Sequence, residues 1–172
     1  IAGDCPDPAF GEQLRETVRQ HEMGAKVHFT GFLDRTGLAA LFARNNVLIF
    51  PSQYSEPFGI SQVEAMAAGL VVVSSGTGGT REIVRDDVDG LLFKADSASE
   101  LAEKLRLLVR EPERMARLQK SAQSRAVEFS VENSVLRIEQ LMEEMLTTAD
   151  PFAPSGLDEQ PESSGASHPS AA

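Results

Sequence analysis

Apolar residues in this chain follow two rhythms. Short unbroken runs, Val47-Leu48-Ile49-Phe50 and Leu70 to Ser74, alternate with stretches where apolar residues recur every three or four positions. The first rhythm predicts strands covered on both faces, the second amphipathic helices. In chain order, Ile1-Ala2-Gly3-Asp4 reads as the end of a strand and a turn. Pro8 to Met23 reads as a helix with Phe10, Leu14 and Val18 on one face, stopped by Gly24. Lys26 to Thr30 is a short strand closed by Gly31, Thr36 to Ala43 a short helix, and Val47 to Phe50 a strand. Gly59 to Ala68 is the next helix, Leu70 to Ser74 the next strand, and Thr80 to Arg85 a short helix. Asp89-Gly90 marks a turn before a last strand at Leu91 to Phe93. Three helices follow, Ser97 to Arg110, Glu113 to Phe129 and Val131 to Thr147, with Pro112 between the first two and Ser130 as the cap of the third. Strands alternating with helices predict an α/β fold with a parallel sheet. From Ala149 onward Pro, Ser, Gly and Glu dominate, so the expectation is one domain over 1–148 and a disordered tail over 149–172.

The segment from Pro51 to Glu82 carries the candidate chemistry. A strand runs into a Pro-Ser turn, then a loop with Glu56, a Pro-Phe-Gly corner and a helix bearing Glu64. In open α/β sheets ligands bind at the carboxyl ends of strands, which is where this loop lies. Pro57 has no N–H, and Gly59 lets backbone approach a ligand without a side chain in the way. The N–H groups of Gly59, Ile60 and Ser61 would point at an anion, helped by the positive end of the helix. Carboxylates there would repel phosphate but suit hydroxyls, which each can accept two at a time. The combination suggests a diphosphate flanked by sugars. On local sequence alone, a plain loop Glu56 and a helix-surface Glu64 are an equal reading, since Glu103 and Glu111 share the eight-residue spacing.

Bulk properties narrow the classes. A chain of 172 residues, 41% hydrophobic and 24% charged, is long enough for a proper core and ordinary for a globular protein. The net charge of -10 argues against non-specific nucleic-acid binding. One cysteine, Cys5, cannot form an internal disulfide, which points to a reducing compartment. No apolar run approaches the ~20 residues that a membrane-spanning helix needs, and no cationic-then-apolar leader is present. A cytoplasmic protein is the expectation. The opening without Met suggests that the chain starts inside a larger protein.

These motifs resemble the donor-binding half of retaining GT-B glycosyltransferases, especially the large family 4. The matching stretches are PS at 51–52, EPFGISQVE at 56–64, EAMAAG at 64–69, GGTRE at 78–82 and DDVDGLLF at 86–93, with IAGDCPD and VHFTGF upstream. The resemblance runs from Ile1 to about Thr147. It implies a Rossmann-like parallel sheet with flanking helices, the C-terminal half of a GT-B fold, with a helical C-terminal extension. It implies transfer of a sugar from a nucleoside diphosphate, UDP or GDP, to an acceptor hydroxyl in glycan biosynthesis. Glu56, the catalytic candidate, would contact hydroxyls of the donor sugar, and Glu64 the ribose hydroxyls. The backbone around Phe58, Gly59, Ile60 and Ser61 would hold diphosphate and sugar, Gly31 would border the base pocket, and Gly78-Gly79 would shape the sheet's mouth. No cofactor and no metal is implied.

The same resemblance implies a missing N-terminal acceptor domain, through which any peripheral membrane contact would come. It also implies a missing first strand, whose loop would bring an Arg and a Lys to the diphosphate. The chain by itself is therefore expected to be inactive. Cys5 stands where the family usually has Gly, and Arg81 where it often has Pro. A nucleotide-sugar epimerase, a phosphorylase, or a non-catalytic module keeping the fold are the rival readings. His21, His28 and His168 lack partners at metal or triad spacing, and Ser52, Ser61, Ser74 and Ser75 lack a nucleophile elbow. The turn at 76–79 is no Walker A loop. Arg81 and Lys26 read as surface charges, Met66 and Met142 as core packing.

Overall fold

The structure, a computed structural model, describes residues 1–147. The expected domain end at 148 and the expected tail over 149–172 lie outside the described residues. Elements follow in the order α1 (Pro8–Gln20), α2 (Arg35–Phe42), β1 (Val47–Phe50), α3 (Ile60–Ala67), β2 (Val71–Ser74), α4 (Thr80–Ile83), β3 (Leu91–Leu92), α5 (Ala98–Arg110), α6 (Pro112–Val127) and α7 (Val131–Thr147). The chain divides after Ser130 into one unit over Ile1–Ser130 and a second from Val131.

In the first unit the strands form a parallel sheet in the order β1-β2-β3, with Val47 opposite Val71 and Val73 opposite Leu91. The central strand, β2, buries all four residues, as its unbroken apolar run requires. Its side chains alternate between two cores. Val72 packs with Met66 and Ala65 of α3, Ile83 of α4 and Ala122 of α6. Val71 and Val73 pack with Leu108 of α5 and Leu118 of α6 on the other face. So α6 closes both cores, and α3 is held against the sheet. Local chemistry sets the helix starts: Asp7 Oδ1 accepts from the N–H of Ala9 and Phe10 at α1, and Asp34 Oδ1 from Gly37 at α2. Pro112 begins α6 as its first residue, a position that wastes no hydrogen bond.

Several expectations are corrected. Lys26 to Thr30 does not form a strand; its vicinity makes a single bridge, Ala2 to Gly31, with Thr30 N–H donating to Ile1 O at 3.0 Å. Ile1 to Gly3 run beside it and the chain then turns at Gly3, with φ 128°, toward α1, so the pairing is one bridge long. β1 is correspondingly an edge strand, and Ile49 is 42% exposed rather than covered. α1 stops at Gln20 rather than Met23, since Glu22 adopts a left-handed backbone and the N–H groups of Lys26 and Val27 turn back to Met23 O. α4 ends at Ile83 because Val84 is already extended. Met66 is fully buried, as expected, but Met142 is 58% exposed on α7, which buries none of its residues.

The turn before β3 is fastened by charge. Buried Asp89 accepts from the N–H and the guanidinium of Arg85. Asp87 accepts from Arg114 at 2.6 and 2.9 Å and from Arg117 at 3.0 Å, tying the turn to α6. Hydrogen bonding from Arg114 above all holds the Asp87 carboxyl below its ordinary value; desolvation opposes it, and the hydrogen bond from Arg117 and the charges of both guanidiniums add to the lowering. A carboxylate whose folded pKa is depressed adds stability that is present above the unfolded value near 3.9 and lost as pH falls through the folded one. The gap in urea stability between wild type and Asp87→Asn should therefore be modest and constant from pH 7 to 5, and shrink below about pH 4. A gap equally wide at pH 3 would show that this pair does not couple to folding.

Candidate functional site

The site lies at the carboxyl ends of β1 and β2, where two loops lean on each other. After Phe50 the chain turns through Pro51-Ser52, and Ser52 O accepts from Ser75 Oγ at 2.5 Å and Thr77 Oγ1 at 3.3 Å. Ser75 N–H donates to Phe50 O at 3.1 Å, and Gly79 N–H to Glu56 O at 2.7 Å. The segment from Ser52 to Glu56 thus rests along the turn that follows β2. A Cβ on Gly78 would lie 2.7 Å from Glu56 N, and one on Gly79 would strike Pro57 O. The two glycines are what let the loops meet backbone to backbone.

Beyond Pro57 the loop climbs into α3. Gly59 caps that helix with φ 81°, a left-handed conformation that glycine takes without strain, and no side chain caps it. The N–H of Gln62 turns back to Gly59 O at 2.9 Å. Among the described residues, the N–H groups of Gly59, Ile60 and Ser61 meet no acceptor, which leaves three donors at the positive end of α3. Gln62, fully buried, donates through Nε2 to Thr80 Oγ1 at 3.0 Å and so fixes α3 to α4, while its Oε1 has no partner. Sequence reasoning missed Gln62. Its signal was a polar residue three and four positions before Ala65 and Met66, on the apolar face of the helix.

Glu56 and Glu64 flank these donors. A Cβ built on Gly59 would come within 3.4 Å of Glu56 Cγ, so the Glu56 side chain lies against the helix start. Glu64 stands one turn beyond Ile60 on the same face, about 6 Å along the axis, and helical side chains lean back toward the N-terminus. Both carboxylates are half-buried. Glu64 also lines a cavity of about 600 Å³ between α2 and α3, with Leu38, Phe42 and Ala67. At about 4 Å and an effective dielectric near 20, a carboxylate would oppose a phosphate charge by about 4 kcal/mol. The carboxylates therefore suit neutral hydroxyls, and the amides suit the anion.

The structure thus brings Glu56, Phe58, Gly59, Ile60, Ser61 and Glu64 together. Phe58 and Ile60, 40% and 66% exposed, present apolar side chains beside the open amides, and Phe58 meets Phe129 edge to face with ring centroids 5.7 Å apart. Gly31, with φ 67°, lies elsewhere: it lines a cavity of about 580 Å³ against α1 and Ile1 to Cys5, not the one lined by Glu64. Arg81 donates its Nε to Gly76 O. No described helix is long and apolar enough to cross a membrane.

Comparison with known proteins now bears on the site. The family model for glycosyl transferases group 1 matches residues 1–125. A glycogen synthase of Mycobacterium tuberculosis is 34% identical over 112 residues, covering 65% of this chain and 27% of the relative. A D-inositol 3-phosphate glycosyltransferase of Rhodococcus opacus is 36% identical over 123 residues, 72% of this chain and 27% of the relative. The chain thus spans well under a third of these curated relatives. The crystal structure of HepE from Anabaena in complex with UDP superposes with a TM-score of 0.72 at 28% identity, covering 84% of this chain and 39% of that one. Another crystal of HepE holds UDP-glucose. These likenesses agree with the α/β architecture described above.

The contact between the two loops can be tested without a ligand. Gly79 has an ordinary helical backbone, so Gly79→Ala meets no conformational penalty and acts only through the collision with Pro57 O. It should lower urea stability by about 1–3 kcal/mol, the usual cost of overpacking. Gly24→Ala, with nothing within 4 Å of the added carbon, should change stability little. Equal behaviour of the two variants would show that the loops are not in close contact.

Proposed function

The chain belongs to the glycosyl transferases group 1 family, and on that premise we propose that it holds the nucleoside-diphosphate sugar in a glycosyl transfer that retains anomeric configuration. The observation that carries the reading is the set of open N–H groups at Gly59, Ile60 and Ser61, flanked by Glu56 and Glu64. In this reading the diphosphate accepts from those amides, whose fixed positive potential stabilises the charge that develops as the nucleotide leaves. Glu64 accepts from the ribose hydroxyls and Glu56 from hydroxyls of the sugar. Gly31 borders the base, and the Phe58 backbone lines the sugar. Preorganised amides make a metal unnecessary, so the transfer is metal-independent and withstands EDTA.

HepE, crystallised with UDP and with UDP-glucose, makes uridine donors the first to test. The names of the two curated relatives point to different acceptors, so acceptor choice is assigned to residues beyond this chain. An Arg and a Lys facing the diphosphate are assigned there too, because among the described residues Arg81 is turned to Gly76 O and Arg125 to the end of α4. The chain alone should accordingly consume no donor, whereas the complete protein transfers sugar to a hydroxyl; a fragment matching the complete protein's turnover would overturn this. A cytoplasmic location accords with a lone, exposed, unpaired Cys5.

The two carboxylates separate by ligand. In the complete protein, Glu64→Gln should weaken UDP and UDP-glucose alike, because both carry ribose. Glu56→Gln should spare UDP and weaken the sugar donor or its turnover. Each lost hydrogen bond to a charged group costs about 1.5–3 kcal/mol, roughly ten- to a hundredfold in affinity. Calorimetric titrations in which both variants match wild type would sink the assignment.

A further inference from the structure

The end of α6 reaches the donor loop from two directions at once. Arg125 lies in the last turn of α6 and Phe129 in the turn that follows it, and the guanidinium lies 4.8 Å from the centre of the Phe129 ring. Phe129 in turn packs edge to face on Phe58, the residue before the Gly59 corner. That is the first route. On the second, Arg125 donates from Nη2 to Glu82 O at 2.6 Å and from Nε to Ile83 O at 3.3 Å, capping carbonyls that end α4. α4 begins at Thr80, which takes the Gln62 amide of α3, and is preceded by Gly79, whose N–H holds Glu56 O. Arg125 also pairs with Glu128, which keeps the guanidinium plane in place. One side chain therefore braces both sides of Pro57.

Phe129 also packs against the core that holds Met66 and Ala122, but Phe58 does not. Phe58 is 40% exposed, so burial does not fix it, and it meets Phe129 in an edge-to-face contact. The amides of Gly59, Ile60 and Ser61 follow directly, and three donors converge on one anion only if the corner keeps its angle. Displacement by about 1 Å is enough to spoil such a constellation.

We propose that Arg125 and Phe129 are positioning residues for the donor site, holding the Phe58–Gly59 corner so that the three amides converge on the diphosphate. The proposal rests on the donor-site reading above. A planar guanidinium can span two carbonyls and stack on a ring together, which lysine cannot do.

The test uses the complete protein and the variants Phe129→Leu, Arg125→Met and Arg125→Lys. Hydrogen exchange without ligand should speed several-fold at the amides of Gln62 and Gly79, which donate to Gly59 O and Glu56 O, in the first two, less in Arg125→Lys, while 71–74 stays protected. Competition titrations with UDP, GDP and ADP should show affinity for the nucleotide that wild type binds falling roughly three- to tenfold, the range expected from one aromatic contact. Affinity for the matching nucleoside should not change, because it lacks the diphosphate. Unchanged exchange at Gln62 and Gly79, exchange rising equally over 71–74, or equal weakening of nucleoside and diphosphate would each overturn the positioning role. Wild type binding none of the three diphosphates would overturn the donor-site reading itself; normal wild-type binding with unchanged affinity in the variants would overturn the positioning role alone.

Discussion

The hydrogen bond from Gly79 N–H to Glu56 O joins two loops main chain to main chain at the point where the donor corner begins. Each follows a different strand, and each is polar and lies at the protein's edge. Backbone can reach backbone there because neither Gly78 nor Gly79 carries a side chain. The parallel pairing of β1 with β2 brings both loops to one end of the sheet, and Ser75 and Thr77 then tether Ser52. From this contact the rest follows in sequence: Glu56 has a fixed carbonyl, Pro57 a fixed ring, and Gly59 a defined point from which α3 starts. Gln62 secures the other side by holding Thr80. The loop is positioned by main chain more than by burial, which leaves its side chains open to solvent and to ligands.

Much of this was readable from the residues. The unbroken apolar run over Val71–Ser74 announced a central strand, because only a strand covered on both faces needs apolar residues at consecutive positions. Val47–Phe50 was read with its bounds, and Gly59 as a helix start with bare amides followed from its place between Pro57 and an apolar helix. What escaped has a common physical cause. Pairing of Lys26 to Thr30 depends on how far its partner runs beside it before turning away, which local propensity does not register. The exposure of Ile49 and Met142 depends on what lies across from them, and their hydrophobicity is the same either way. Arg125 and Phe129 lie about seventy residues from Phe58 in the chain, so nothing in either neighbourhood hints at the contact. Gln62 left a trace, a polar residue on the apolar face of a helix, but not the identity of its partner.

The distribution of charge around the corner also has a physical logic. Near α3 the chain offers carboxylates and amides; Arg35 lines the cavity beside Glu64, while Arg81 is turned to Gly76 O and Arg125 to the end of α4. A net charge of -10 gives the chain as a whole no long-range attraction for an anion. Any anion affinity here has to be local, arising from dipoles that act within the first turn of a helix. Such binding is selective for geometry more than for charge. Sulfate or phosphate would engage the amides, while only a ligand with hydroxyls on both sides would engage Glu56 and Glu64 as well.

A site made largely of main chain divides its positions into two kinds. At Ile60 and Ser61 the groups that the proposed reading offers to the anion are N–H donors common to nearly every residue, so those side chains, like that of Phe58 beside them, are free to vary with what packs next to them. This accounts for apolar side chains, 40% and 66% exposed, beside donors suited to an anion. At Glu56 and Glu64 the side chain itself is the contact, and even the change to Gln replaces two acceptor oxygens by one oxygen and one donor. Gly59, Gly78 and Gly79 are constrained differently again, by backbone angle and by space. In the proposed reading the carboxylates and glycines are therefore the positions tied to the shared part of a nucleoside-diphosphate sugar, and the neighbouring side chains are the ones left to distinguish the rest.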